Sequence, residues 1–301
     1  MAIRRLMGIS PLLMVFAIHS ATAEDFGTAL RRADGIRQGI HQAAIDGESS
    51  SAMYALGVMS EEESEQTEAF RWYKLAAGHG HAESMNRIGD MYAQARGMPQ
   101  DYVAAAAWYR RAAQHGSLGA MSSLATLYLY GFGVPQRYAK ATQLLKFAAR
   151  RGDASAQNKL GAVYESGVAG ARDLTLAKGS YLRAAAQGYT PAMVNLGLLY
   201  IEAIGVRRDD VRGYALVAAA VAIGIPDEMT NLASAEIGEA SKRLDSRRLE
   251  EAQFRARRLV AGVSSGPTLL TPGRLTMAGH TRPKAELSSR GSLHLSGWTM
   301  Q

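Results

Sequence analysis

The 301-residue sequence contains no cysteine. That excludes a disulfide framework, a thiol nucleophile and a lipid-modified cysteine at a processed N-terminus. It also lacks G-x-S-x-G, H-E-x-x-H, a P-loop and a dinucleotide-binding fingerprint. Carboxylates are plentiful, but none forms a pair assignable to a cleft. No catalytic, cofactor-binding or metal-binding residue is therefore expected. Valine and isoleucine are few beside alanine and leucine, which favours helix over strand. Beyond the first residues, no apolar run is long enough to cross a bilayer.

The N-terminus carries an export pattern. Arg4 and Arg5 form a positive region, an apolar stretch runs from Leu6 to Ile18, and Ala21-Thr22-Ala23 is an A-x-A site. This reads as a signal peptide over residues 1–23, cleaved after Ala23, with no transmembrane segment left behind. An uncleaved anchor is disfavoured, because the run is short and is broken by Ser10 and Pro11. The expected location is periplasmic, or secreted. The net charge of +7 becomes +5 without Arg4 and Arg5. In a periplasm this excess reads as solubility or attraction to anionic envelope polymers, not as nucleic-acid binding.

What dominates the rest is a repeat. "WYKLAAGHG" at 72–80 returns as "WYRRAAQHG" at 108–116. The underlying AAxxG recurs at Ala76, Ala112, Ala148 and Ala184, in steps of 36 residues, and Ala220 with Gly224 continues the phase. A second landmark runs with it: Leu56-Gly57, Ile88-Gly89, Leu124-Ala125, Leu160-Gly161 and Leu196-Gly197. Tyr92, Tyr128, Tyr164 and Tyr200 follow at a fixed offset. The first repeat is four residues short and carries "SEEESEQ", read as a solvated loop, where later ones have a glycine loop. Each repeat reads as helix A, loop, helix B. Asp101, Asp173 and Asp209 are placed to cap helix B, and Gly116 and its counterparts to end it. The aromatic pair is expected to fill the space between stacked hairpins. A hairpin of this kind cannot bury its apolar face alone, so the repeats must stack.

These residues resemble the Sel-1-like repeat family, a tetratricopeptide-like class. The third repeat, with "YGFGVPQ" containing Gly131, Gly133 and Pro135, carries the likeness best. The resemblance covers about residues 48–224. Leu144 and Ser180 depart from it where Trp72 and Trp108 stand. It implies an all-α solenoid of stacked helix-loop-helix repeats and a scaffold or adaptor role, in bacteria at the envelope, in signalling, exopolysaccharide control or motility.

The expected organisation is a signal peptide (1–23), an N-terminal capping half-repeat (24–47), five repeats (48–224), two capping helices (225–261) and a disordered basic tail (262–301) holding Trp298. His79, His81 and His115 read as solvated helix-end residues rather than a zinc site. In tetratricopeptide-like solenoids helix A lines the inner face. Carried over, that puts Asn86, Arg87, Ser123, Asn158, Lys159 and Asn195 on a partner-binding ladder, with hydrogen-bonding and basic groups for a peptide or acidic side chains. Arg247, Arg248 and Arg255 on the last helix offer a second docking surface. The leading expectation is a non-enzymatic adaptor for another envelope protein or a sensor's periplasmic domain. A binder of anionic cell-wall or exopolysaccharide chains and a cell-wall hydrolase are the alternatives.

Overall fold

A computed structural model describes residues 26–47 and 49–264. The signal peptide, the mature start at Glu24 and the tail with Trp298 lie outside the described residues. Thirteen helices and no strand occupy the described part. In chain order they are α1 (Phe26–Ile45), α2 (Ser50–Glu62), α3 (Gln66–Gly78), α4 (Ala82–Ala93), α5 (Tyr102–Gln114), α6 (Leu118–Tyr130), α7 (Tyr138–Arg150), α8 (Ala154–Ser166), α9 (Leu174–Ala185), α10 (Thr190–Glu202), α11 (Asp210–Ile223), α12 (Asp227–Lys242) and α13 (Ser246–Ser264). The chain divides into two compact units, Met1–Leu144 and Leu145–Gln301.

The recurring phrase is a helix terminator. Gly116 N–H donates to the Ala113 carbonyl, and Ser117 N–H donates to the Ala112 carbonyl. This crossed pair satisfies two carbonyls that would otherwise be orphaned at the end of α5. It needs a left-handed residue, and Gly116 supplies it at φ +92°. The same two bonds recur from Gly80 and His81 to Ala77 and Ala76, and from Gly152 and Asp153 to Ala149 and Ala148. Gly188 and Tyr189 repeat them onto Ala185 and Ala184. The residue after the glycine has a second task. The Ser117 hydroxyl accepts from Ala120 N–H at 3.1 Å, the Asp153 carboxylate from Ala156 N–H, and His81 Nδ1 from Ser84 N–H. One residue thus closes helix B and caps the next helix A.

Helix B starts as its aspartates predict. Asp101 accepts from Val103 and Ala104 N–H, Asp173 from Leu176 N–H, and Asp209 from Arg212 N–H. The helix A tyrosines anchor the intervening loop through their backbone. The carbonyls of Tyr92, Tyr128, Tyr164 and Tyr200 accept from the N–H of Asp101, Arg137, Asp173 and Asp209.

In the N-terminal unit, α2 pairs with α3 and α4 with α5, while α3 meets α4 and α5 meets α6. Helix α1 lies on α2, with Ala44 and Ile40 against Met53, Leu56 and Trp72. Of the two aromatic pairs, the buried members are Tyr73 and Tyr109. Trp72 and Trp108 are only half-buried. That corrects the expectation for the aromatic pair: its second member is the core residue, and it packs inside its own hairpin. Each ring lies where helix A has no side chain, so Tyr73 covers Gly57 and Tyr109 covers Gly89.

In the C-terminal unit, α8 pairs with α9 and α10 with α11. Tyr181 covers Gly161 there, and Val217 covers Gly197. The core is built from Tyr181, Met193, Leu196, Leu199 and Leu216 with small alanines between them. Helix α13 packs on α11 through Ala256, Leu259 and Val260. Its start is capped by Asp245, which accepts from Arg248 N–H at 2.8 Å.

Candidate functional site

In the N-terminal unit the ladder cation Arg87 is engaged with a neighbour. Arg87 Nη1 lies 3.9 Å from Glu61. Glu61 is a hub: it accepts from the Tyr73 hydroxyl at 2.7 Å and from Arg96 at 3.4 Å. Its side chain is 13% exposed. The acidic run at 60–66 is thus no plain solvated loop. Its first part ends α2, and Glu63 accepts from Arg37 of α1 at 2.8 Å. The Tyr109 hydroxyl donates to Asp90 at 2.8 Å. Burial, and the Glu61 and Asp90 carboxylates that accept their hydrogen bonds, push the Tyr73 and Tyr109 phenols well above the usual range. Asn86 is half-buried, and its Oδ1 has no partner.

In the C-terminal unit, Asn195 Nδ2 donates to Asn158 Oδ1 at 2.9 Å, joining α10 to α8. Lys159 is half-buried beside Asn158 in sequence. The ladder polar groups therefore serve stacking contacts as well as any ligand. On α13, Arg247 and Arg248 are exposed, and Arg255 is paired with Glu251 at 2.6 Å.

His79 and His115 are exposed at the ends of α3 and α5, and His81 is the α4 cap. Among the described residues no group of three His, Asp or Glu side chains converges as metal ligands.

Sequence reasoning passed over a different constellation. Arg110 of α5 and Lys140 of α7 are the cations nearest in effect to the hydroxyl of Tyr128 on α6. Lys140 Nζ stands 5.0 Å from the centre of the same ring. Burial alone would raise this phenol, but the two cations outweigh it and lower it. The following loop carries Phe132, stacked on Tyr102 at 4.9 Å and on Tyr130 at 5.6 Å. Tyr130, Phe132 and Val103 are exposed at 64%, 43% and 66%. The signal was available: Asp101 and Asp153 enclose seven Lys and Arg and no carboxylate.

Hairpins of two short helices, ended by one shared left-handed turn and stacked in series, define an α-solenoid of the tetratricopeptide-like kind. The particular family is the Sel1 repeat. Its signature matches residues 50–81, 82–117, 119–153, 154–189 and 190–222, more than half of the chain, and the chain belongs to this family. In fold it is similar to a protective antigen present in uropathogenic Escherichia coli strains that displays the SLR fold, at 24% identity and a TM-score of 0.63. That match covers 83% of this chain and 53% of the antigen, so the chain spans about half the antigen's length. A Sel1 repeat protein from Oxalobacter formigenes is similar at 24% identity and a TM-score of 0.57, over 74% of this chain and 99% of that one. No curated protein matches. Likeness at this identity establishes the fold. Sel1 repeat proteins generally mediate protein–protein interaction.

Proposed function

We propose that this chain is an exported, non-enzymatic adaptor that binds another envelope protein through its repeats and regulates a signalling, exopolysaccharide or motility system. The observation that carries this reading is the run of five consecutive Sel1 repeats. Five of their carboxylates make structural contacts: Glu61 and Asp90 hold tyrosine hydroxyls, and Asp101, Asp173 and Asp209 cap helices. Between Asp101 and Asp153 the charged side chains are all basic, and Tyr130 and Phe132 are exposed, which suits recognition of another surface. A binder of anionic envelope glycans is the second reading, favoured by the carboxylate-free segment between Asp101 and Asp153.

The test uses the mature chain from Glu24, immobilised and incubated with solubilised envelope extract, beside co-sedimentation with cell-wall glycan and a hydrolase assay. The adaptor reading expects one envelope protein retained in a defined ratio, re-bound when purified, with neither glycan binding nor turnover. Glycan co-sedimentation without any retained protein overturns it, as does turnover of cell-wall material.

A further inference from the structure

Resting on that adaptor reading, we propose that the ring stack of Tyr102, Phe132 and Tyr130, together with Arg137 of the same loop, is the docking site for a segment of the partner protein in which an aromatic side chain is flanked by carboxylates.

The stack is held by the loop beneath it. Gly131 and Phe132 N–H donate to the Leu127 carbonyl, and Arg137 N–H donates to that of Tyr128. Gln136 Nε2 donates to the Leu129 carbonyl at 2.6 Å. A methyl group on Gly131 would stand 3.4 Å from Gln136 Cβ, so the ring-bearing and arginine-bearing ends of the loop are adjacent. Gly133, at φ +64°, lies against the Tyr102 backbone with no room for a side chain. The Tyr102 hydroxyl accepts from Gln100 at 3.1 Å. Phe132 is the shared middle ring, and Tyr130 ends the stack at 64% exposed. Rings fixed in this way before a ligand arrives lose little freedom on binding.

The repeat supplies its own control, and it shows that the fold does not require these residues. The three ring positions hold Gln66, Gln94 and Arg96 one repeat earlier, Tyr138, Ser166 and Val168 one repeat later, and Leu174, Glu202 and Ile204 after that. Arg137 departs further. Its position holds Asp101, Asp173 and Asp209 in three other loops, and each of those caps the helix that follows. An arginine has no acceptor with which to cap, and such a cap is worth about 1 kcal/mol. Loop closure survives the exchange because it uses the backbone N–H. The chain thus carries an exposed cation beside the rings where those loops carry a stabilising carboxylate.

Charge and shape select the occupant. No carboxylate occurs between Asp101 and Asp153, and the Asp101 carboxylate itself is turned onto the Val103 and Ala104 N–H groups. An acidic segment therefore meets attraction from Arg137 and no like charge from this stretch, whereas a basic one is repelled. The Arg137 guanidinium can hold a carboxylate through charge-assisted hydrogen bonds. Tyr130 is the open end of the stack, which one further ring extends in the offset geometry that aromatic pairs prefer. Val103, 66% exposed beside Tyr102, adds apolar contact. A polyuronate supplies the charge without an aromatic ring, and an uncharged peptide supplies the ring without the charge.

The probes are a fluorescent peptide alternating Glu and Phe, its Gln-for-Glu and Leu-for-Phe analogues, and a polyuronate. Wild-type chain is expected to bind the first in preference to the other three. Y130S/F132V installs the residues that the next repeat carries. It should weaken binding of the peptide by about tenfold and erase the preference for Phe over Leu. R137D installs the aspartate of the other loops. In circular dichroism melts it should unfold at or above the wild-type temperature, yet weaken binding by about tenfold and erase the preference for Glu over Gln. F254S removes a comparably exposed ring from α13 and should stay within about twofold. Failure of wild type to bind the acidic peptide, tighter binding of the polyuronate, or an equal loss from F254S would overturn the site, as would wild-type binding by either loop variant. The retained envelope protein separates the two levels. If R137D and Y130S/F132V capture it as well as wild type does, the docking site fails and the adaptor reading stands. If wild type captures nothing, the adaptor reading itself fails.

Discussion

A methyl group on Gly89 would stand 2.5 Å from the Tyr109 ring, closer than any real contact of that kind. The ring lies against bare helix backbone, and its hydroxyl reaches Asp90 at 2.8 Å. Gly57 with Tyr73 and Gly161 with Tyr181 repeat the arrangement. Gly89→Ala is expected to destabilise the fold by about 1–3 kcal/mol through overpacking. Adding Tyr109→Leu should restore most of that loss. The sequence itself makes this exchange one repeat on, where Ala125 and Leu145 hold the corresponding positions. Urea titrations of the single and double variants measure the coupling.

The neighbouring aromatics should differ in weight. Tyr109 is 3% exposed, and Trp108 is half-buried under Arg111, whose guanidinium lies 5.2 Å from its ring. Tyr109→Ala should cost about 3–5 kcal/mol as a core truncation. Trp108→Ala should cost about 1–2 kcal/mol, in line with its smaller buried area. The midpoints of chemical denaturation rank the two.

Stability should fall in alkali. The Tyr73, Tyr109 and Tyr181 phenols are raised above 10.0, chiefly by burial and then by Glu61, Asp90 and Glu165. A folded-state value raised above the unfolded one gives stability that is full below pH 10 and is lost as pH rises beyond it. Each tyrosine adds a slope of about 1.4 kcal/mol per pH unit in that window. The triple Phe variant should be less stable at neutral pH and should lose stability more slowly above pH 10. Parallel slopes for the two proteins would rule out a tyrosine origin.

The Glu61 hub has a stability role. Glu61→Gln removes the charge that meets Arg87 and Arg96 and weakens the bond from Tyr73, and should cost about 1–3 kcal/mol. Arg87→Glu would set a second carboxylate beside Glu61, so thermal melts should show it destabilised as well. It is for that reason a poor probe of binding.

The hairpin phase, the helix B caps and the terminal glycines were legible in the sequence, because each depends on a local residue type. Asp101 caps whatever lies beside it, and Gly116 turns whatever follows. The helix A caps were not legible, because Ser117, His81 and Asp153 share a position but no residue type. The Gly89–Tyr109 fit joins two landmarks that were seen separately, and only packing shows them to be one contact. Glu61 was read as part of a solvated run, since nothing local shows that Tyr73, Arg87 and Arg96 return to it. The ring stack of Tyr102, Phe132 and Tyr130 was missed for the same reason: Tyr102 lies apart from the other two in sequence, and only the loop that follows α6 brings them together.

The most direct test of an interaction module is photo-crosslinking in the producing cell. A photoreactive phenylalanine replaces Tyr130 in the full chain, and another replaces Phe254, which is 55% exposed on α13. Binding through the repeats predicts one discrete protein adduct from position 130 and none from position 254. Adducts from position 254 alone, or glycan adducts with no protein at either position, would contradict it.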